Sequence, residues 1–144
     1  MIPRRLLIHS AILLLFLVLW TWKLLEPHPV PEEISEGLAK AGLSYIAAKT
    51  LHAAGYAFLA ILAVTLPAPR RWRGFLVGLL VWHGIATEIG QTFIPNRTGR
   101  VRDVFIDWLG IGLGLLAVLL WKRRRPPGPG PGRGDTAVIP RSVC

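Results

Sequence analysis

Residues 88–107 read EIGQTFIPNRTGRVRDVFID, and they stand between the apolar runs GFLVGLLVWHGIAT (74–87) and WLGIGLGLLAVLLW (108–121). A helix of a soluble protein carries a polar face at period 3.6, whereas these flanking runs are apolar nearly all round. The stretch therefore reads as a turn between two lipid-embedded helices, with Glu88, Gln91, Asp103 and Asp107 inside or at the edges of the greasy segments. Two earlier runs, at 6–22 and 46–66, have the same character, and the later pair extends over 75–94 and 104–121. Each approaches or exceeds the roughly 18–20 residues that a helix needs to cross a bilayer. Mean hydropathy is +0.47. These runs predict an all-α fold, a four-helix transmembrane bundle with a disordered C-terminal tail.

The predicted organisation is an N-terminal signal-anchor helix over 1–25, an external loop over 26–45, a three-helix region over 46–121 and a basic cytoplasmic tail over 122–144. The opening MIPRR-LLIHSAILLLFLVLW has the layout of a secretory signal. The small-residue cleavage site of such a signal is missing, because Thr21-Trp22-Lys23-Leu24 follow instead. Pro and Gly crowd PPGPGPGRGDTAVIPRSVC after Arg125 and prevent a packed core there. Its Arg133-Gly134-Asp135 triplet matches an adhesion motif in letters only, and the lone Cys144 can form no intramolecular disulfide.

The net charge of +9 gives no nucleic-acid surface, because the basic residues stand at the membrane flanks. Arg4, Arg5, Arg70, Arg71, Arg73 and Lys122 to Arg125 fall on one side of alternating spans, and they outnumber the basic residues on the other. The positive-inside rule then predicts a multi-pass protein of the plasma (inner) membrane with both termini cytoplasmic. Trp72 and Trp121 suit the cytoplasmic interface, and Trp20 and Trp22 the outer one.

With that topology, depths follow from the helical rise of about 1.5 Å per residue. Lys49 lies about 5 Å and His52 about 9 Å below the outer surface, with Tyr56 one turn deeper on the same stripe. Glu88 lies about 8 Å and Asp107 about 6 Å below it, so three helices bring polar groups to one depth. Arg97, Arg100 and Arg102 of the connecting loop face Glu88, Asp103 and Asp107, and could neutralise them. Asp103 has a second reading as a cap for the last helix, and the arginines as anchors to lipid phosphates. Mid-bilayer His83 reads as a hydrogen-bond partner of Tyr56. Gly110-xxx-Gly114 permits a close helix approach, and Gly74-xxx-Gly78 offers a similar patch.

The ordered series Lys49-xx-His52-xxx-Tyr56, Glu88-xx-Gln91, Pro95-x-Arg97 and Asp103-xxx-Asp107-xx-Gly110-xxx-Gly114 resembles the VanZ-like family over about residues 46–120. Ala48 stands where family members usually carry an acidic residue, Asp107 where they commonly have Asn, and Arg100 where a small or hydroxylated residue is frequent. The resemblance implies a cell-envelope role and a contribution to glycopeptide (teicoplanin) resistance, without an agreed catalytic mechanism.

The candidate catalytic residues are Glu88, His52 and Asp107, and the candidate binding residues are Lys49, Gln91, Arg97, Arg100, Asp103 and Tyr56. Cationic side chains would hold a phosphate head group, and Glu88 with His52 would serve as base and acid. The expected partner is a membrane lipid or lipid-linked cell-wall precursor, with a homo-oligomer as a further option. His52, Glu88 and Asp107 form the set that a metal would need, but they carry no recognised ligand spacing. Neither metal nor cofactor is expected. No HExxH, GxSxG, P-loop or CxxC is present, and no serine falls in the last three spans. The residues leave open whether the pocket catalyses or only binds. The alternatives are a small oligomeric lipid transporter or flippase, and a purely structural protein with an internal salt-bridge cluster.

Overall fold

In the computed structural model, residues 3–27, 43–95 and 99–124 are described. They form four helices: α1 (Arg4–Leu25), α2 (Ser44–Thr65), α3 (Arg70–Gln91) and α4 (Val101–Arg124). Three have 22 residues and α4 has 24, a length of about 33–36 Å against a hydrocarbon core of about 30 Å. Proline sets two of the helix starts, since Pro3 and Pro69 precede α1 and α3 with extended backbone and no amide of their own to satisfy. The expected 26–45 loop and the 122–144 tail lie mostly outside the described residues.

By length and composition, α1, α2 from Tyr45 onward and α4 are apolar enough to cross a membrane. The chain is therefore membrane-embedded. The remaining helix, α3, equals them in length but is less apolar. Arg70, Arg71 and Arg73 occupy one end of α3, and Thr87, Glu88 and Gln91 are buried at the other. Much of the leucine, isoleucine and tryptophan surface of the bundle is exposed, including Leu14, Leu15, Trp82 and Leu109. Water would penalise such a surface and acyl chains do not.

The helices run up, down, up and down, which places α2 and α4 parallel. These two make the tightest pairing in the bundle. Gly110 and Gly114 are buried, and a Cβ at either would collide with the backbone of Ala53 or Ala57. Two glycines on one face thus remove the bulk that would hold the helices apart. Small residues continue the seam along α2, where Ala60 and Ala63 are fully buried beside Leu59. The Gly74/Gly78 patch does not act this way within the chain, since neither glycine has a heavy atom within 4 Å of an added Cβ.

Polar cross-links tie the other pairs. His9 Nε2 lies 2.9 Å from the Leu62 carbonyl oxygen, joining α1 to α2. The Trp108 indole donates to the Val81 carbonyl at 3.3 Å, joining α4 to α3. His83 does pair with Tyr56, at 2.9 Å, and its other ring nitrogen lies 2.8 Å from Thr21 Oγ1. Thr21 donates its own proton to Leu17, so the His83 Nε2–H donates to Thr21 and Tyr56 donates to His83 Nδ1. A neutral imidazole satisfies this mid-bundle chain completely.

Gly110→Val should wedge α2 from α4 and lower stability by about 1–3 kcal/mol, the range for overpacking. Unfolding in mixed micelles would show this loss, with Gly78→Ala as the control that leaves stability unchanged or slightly raised.

Candidate functional site

At the end of the bundle opposite Arg70, Arg71 and Arg73, the α2–α4 seam places two ionisable pairs side by side. Lys49 Nζ lies 2.5 Å from Asp103 Oδ2. One turn deeper, His52 Nδ1 lies 3.1 Å from Asp107 Oδ1. With Asp107 ionised, the ring N–H donates to it. Asp107 is fully buried, Asp103 is 5 % exposed and Glu88 of α3 is 4 % exposed. One donor atom each from His52, Glu88 and Asp107 lies within 4.8 Å of the other two. Three helices therefore deliver their polar groups to one place, at the common level that the depth arithmetic from the sequence expects.

Among the described residues, the Arg100 and Arg102 side chains do not meet the carboxylates as expected. Glu88 Oε2 accepts from the backbone N–H of Arg100 at 2.8 Å, while the Arg100 side chain is exposed at the rim. Gly99 makes this bond possible: a Cβ there would collide with the Glu88 carbonyl, so only glycine lets the loop fold so closely over the end of α3. Arg102 is also exposed, and its guanidinium lies 5.6 Å from the Tyr45 ring centroid, with Lys49 Nζ 5.4 Å from the same centroid. Arg97 lies outside the described residues. Among the described residues, Lys49, which reaches Asp103, is the lysine or arginine that enters the cluster.

Asp103 sits in the first turn of α4, where its charge complements the helix dipole. Its side chain is committed to Lys49 rather than to a capping bond among the described residues. Gln91 is turned away from the cluster and donates to the Leu24 carbonyl at 3.0 Å, closing α1 onto α3. Tyr56 lies below the cluster, fully buried, with Thr87 Oγ1 at 3.2 Å and His83 at 2.9 Å. The structure thus gathers Lys49, His52, Glu88, Asp103 and Asp107, puts Tyr56 beneath them, and gives Gln91 a bracing position.

Trp20 is the residue whose placement the sequence misses. It is 8 % exposed and packed over Gly55, with its ring 6.5 Å from His52 and 6.4 Å from Tyr56, centroid to centroid. It is a wall of the site and not an interfacial anchor. Trp22, two residues on, is 64 % exposed and faces outward. A single hydropathy run gives no sign of which of two near-adjacent tryptophans faces inward.

Beside the cluster, between α3 and α4, lies a cavity of about 430 Å³. Glu88 and Arg100 contribute its polar edge, and Ile85, Val104, Phe105 and Trp108 line much of the rest. Ile89, Val101 and Phe105 around it are exposed, so the cavity opens on the outer face of the bundle. Buried carboxylates at the end of an apolar groove can hold a cation, accept protons, or meet the polar head of an amphiphile whose tail occupies the groove.

A bundle of apolar helices with a buried ionisable cluster at one end defines a polytopic membrane protein with an embedded polar site. The VanZ/LLP1 family model matches residues 11–122, and the chain belongs to that family. That match takes in most of α1, beyond the 46–120 over which the resemblance is visible by motif, and so includes Trp20. No curated protein and no solved structure matches the chain.

Lys49→Met should destabilise the bundle by about 3 kcal/mol, because it leaves Asp103 charged and unpaired in a buried position. Lys49 keeps 19 % side-chain exposure, which holds the loss at the lower end of the range for buried pairs. The double variant Lys49→Met/Asp103→Leu should recover more than half of that loss in the same unfolding measurement.

Proposed function

We propose that the chain binds an anionic envelope lipid, such as a lipid-linked cell-wall precursor, at the outer leaflet of the plasma membrane. The observation that carries this reading is the groove of about 430 Å³ whose apolar walls end at Glu88 and Arg100. An acyl or polyprenyl chain matches the Ile85, Val104, Phe105 and Trp108 lining, and a phosphate matches the exposed Arg100 guanidinium at the mouth. The opposite end of the bundle carries Arg70, Arg71, Arg73, Lys122, Arg123 and Arg124. By the positive-inside rule that end is cytoplasmic, and the cluster then faces outward. A role in glycopeptide resistance, which the family resemblance implies, follows if the bound lipid is the precursor that the antibiotic recognises.

A second reading, chemical modification of that lipid, is favoured by the His52–Asp107 pair beside Glu88. A carboxylate that orients an imidazole, next to a second carboxylate, is the material of general acid–base catalysis. Under this reading Glu88→Gln would abolish turnover and leave binding in place.

The test is native mass spectrometry of the protein released from nanodiscs containing a polyprenyl phosphate or the matching uncharged polyprenol. The phosphate should be retained about tenfold better than the alcohol, and Arg100→Ala should remove most of that preference, as expected for one charge-assisted hydrogen bond. Val104→Trp should fill the groove and reduce retention of both. Equal retention of phosphate and alcohol would reject the reading. Loss of retention only in Arg73→Ala/Lys122→Ala would place the lipid in the basic groove at the other end, where Arg70, Arg73 and Lys122 line a cavity of about 550 Å³.

A further inference from the structure

We propose that His52, Glu88 and Asp107 form a binding site for one divalent first-row transition ion, with zinc as its best probe. The inference goes beyond lipid binding and does not depend on it.

The first ground is the donor set. An imidazole and two carboxylates, each from a different helix, bring one donor apiece within 4.8 Å of one another. Around an ion with bonds of about 2.1 Å, neighbouring ligands stand about 3.0–3.4 Å apart. His52 Nδ1 and Asp107 Oδ1 are already 3.1 Å apart, and a side-chain adjustment of Glu88 would bring the third donor in. Three protein ligands with an open position is the arrangement of catalytic rather than structural zinc sites.

The second ground is independent and concerns unfinished bonding. Glu88 Oε1 and Asp107 Oδ2 are buried and have no hydrogen-bond partner among the described residues, although their residues are 4 % and 0 % exposed. A buried acceptor without a partner costs about 1–3 kcal/mol, and more when charged. The mid-bundle chain through Thr21, His83 and Tyr56 is by contrast fully bonded, while Trp20 Nε1 and Asp103 Oδ1 also lack a partner among the described residues. The oxygens left over at the cluster are consistent with a ligand outside the chain.

Charge gives the third ground. Lys49 pairs with Asp103, which leaves the Glu88 and Asp107 carboxyl groups beside one imidazole, with no lysine or arginine side chain on them among the described residues. The Arg100 contact to Glu88 is a backbone amide and brings no formal charge. A divalent cation balances that remainder in a region where an unpaired charge is costly. An ion bound at His52 Nδ1 takes the neutral ring with its one proton on Nε2. No ligand motif is visible in the sequence because the donors come one from each helix, 36 and 19 residues apart.

The experiment uses full-length, tag-free protein in detergent, stripped with a chelator, loaded with zinc and dialysed, with metal counted by mass spectrometry of the elements. Wild type should retain about one zinc per chain and melt at a higher temperature with the ion than without it. His52→Ala, Glu88→Gln and Asp107→Asn should each weaken zinc binding at least tenfold in calorimetric titration. Folding of the variants is controlled without metal by their helical circular dichroism. His52→Cys should keep the site and, loaded with cobalt, show thiolate-to-metal absorption that wild type lacks. That readout holds even if the alanine variant fails to fold. A stripped wild type that takes up less than a tenth of an equivalent, or zinc uptake that persists at wild-type affinity in the folded variants, would overturn the site. Either result would leave the lipid reading standing, because no lipid enters this measurement.

Discussion

The contact on which the rest of the site depends is the seating of Gly110 and Gly114 of α4 against the backbone of Ala53 and Ala57 of α2. Helix association in lipid gains little from the hydrophobic effect, since acyl chains are as apolar as leucine, and close van der Waals contact takes its place. Because the two helices run parallel, this seating also fixes their register. It sets Lys49 opposite Asp103 and His52 opposite Asp107. Slipping α4 by one turn, about 5.4 Å, would exchange partners and strand one of the two carboxylates in a buried position. Packing and electrostatics therefore select the same alignment, and neither alone defines it as sharply.

Two polar systems lie along the bundle, and their bonding separates their roles. The deeper one, through Thr21, His83, Tyr56 and Thr87, closes on itself with a neutral imidazole and links α1, α2 and α3. Buried networks of that kind hold helices in position. The cluster nearer the end of the bundle leaves oxygens of Glu88, Asp103 and Asp107 without partners among the described residues. It also borders an apolar groove open at the side. A polar group that is costly to bury and incompletely bonded is where a membrane protein meets something else. Trp20 belongs to both systems, since its ring lies near His52 and Tyr56. A first helix that reads as an anchor in the sequence therefore also walls the site.

The apolar runs, their lengths and their basic flanks depend only on composition along the chain, because lipid imposes the same requirement on each residue at a given depth. That is why the four helices, and the common level of Lys49, His52, Glu88 and Asp107, are legible in the sequence. Depth is a one-dimensional quantity, set by a rise of about 1.5 Å per residue. Rotation about each helix axis is different. It decides that Trp20 faces inward and Trp22 outward, that Gln91 braces Leu24, and that Gly110 and Gly114 meet a neighbour while Gly74 and Gly78 do not. In lipid, apolar side chains are tolerated on every face, so hydropathy carries no angular information. Only the packing of one helix against another supplies it. The bond from the Arg100 amide to Glu88 is hidden for a related reason: every residue has a backbone N–H, and its use here rests on how closely the chain at Gly99 passes over α3. The sequence by itself determined which residues reach the level of the site; the tertiary structure decided which of them touch.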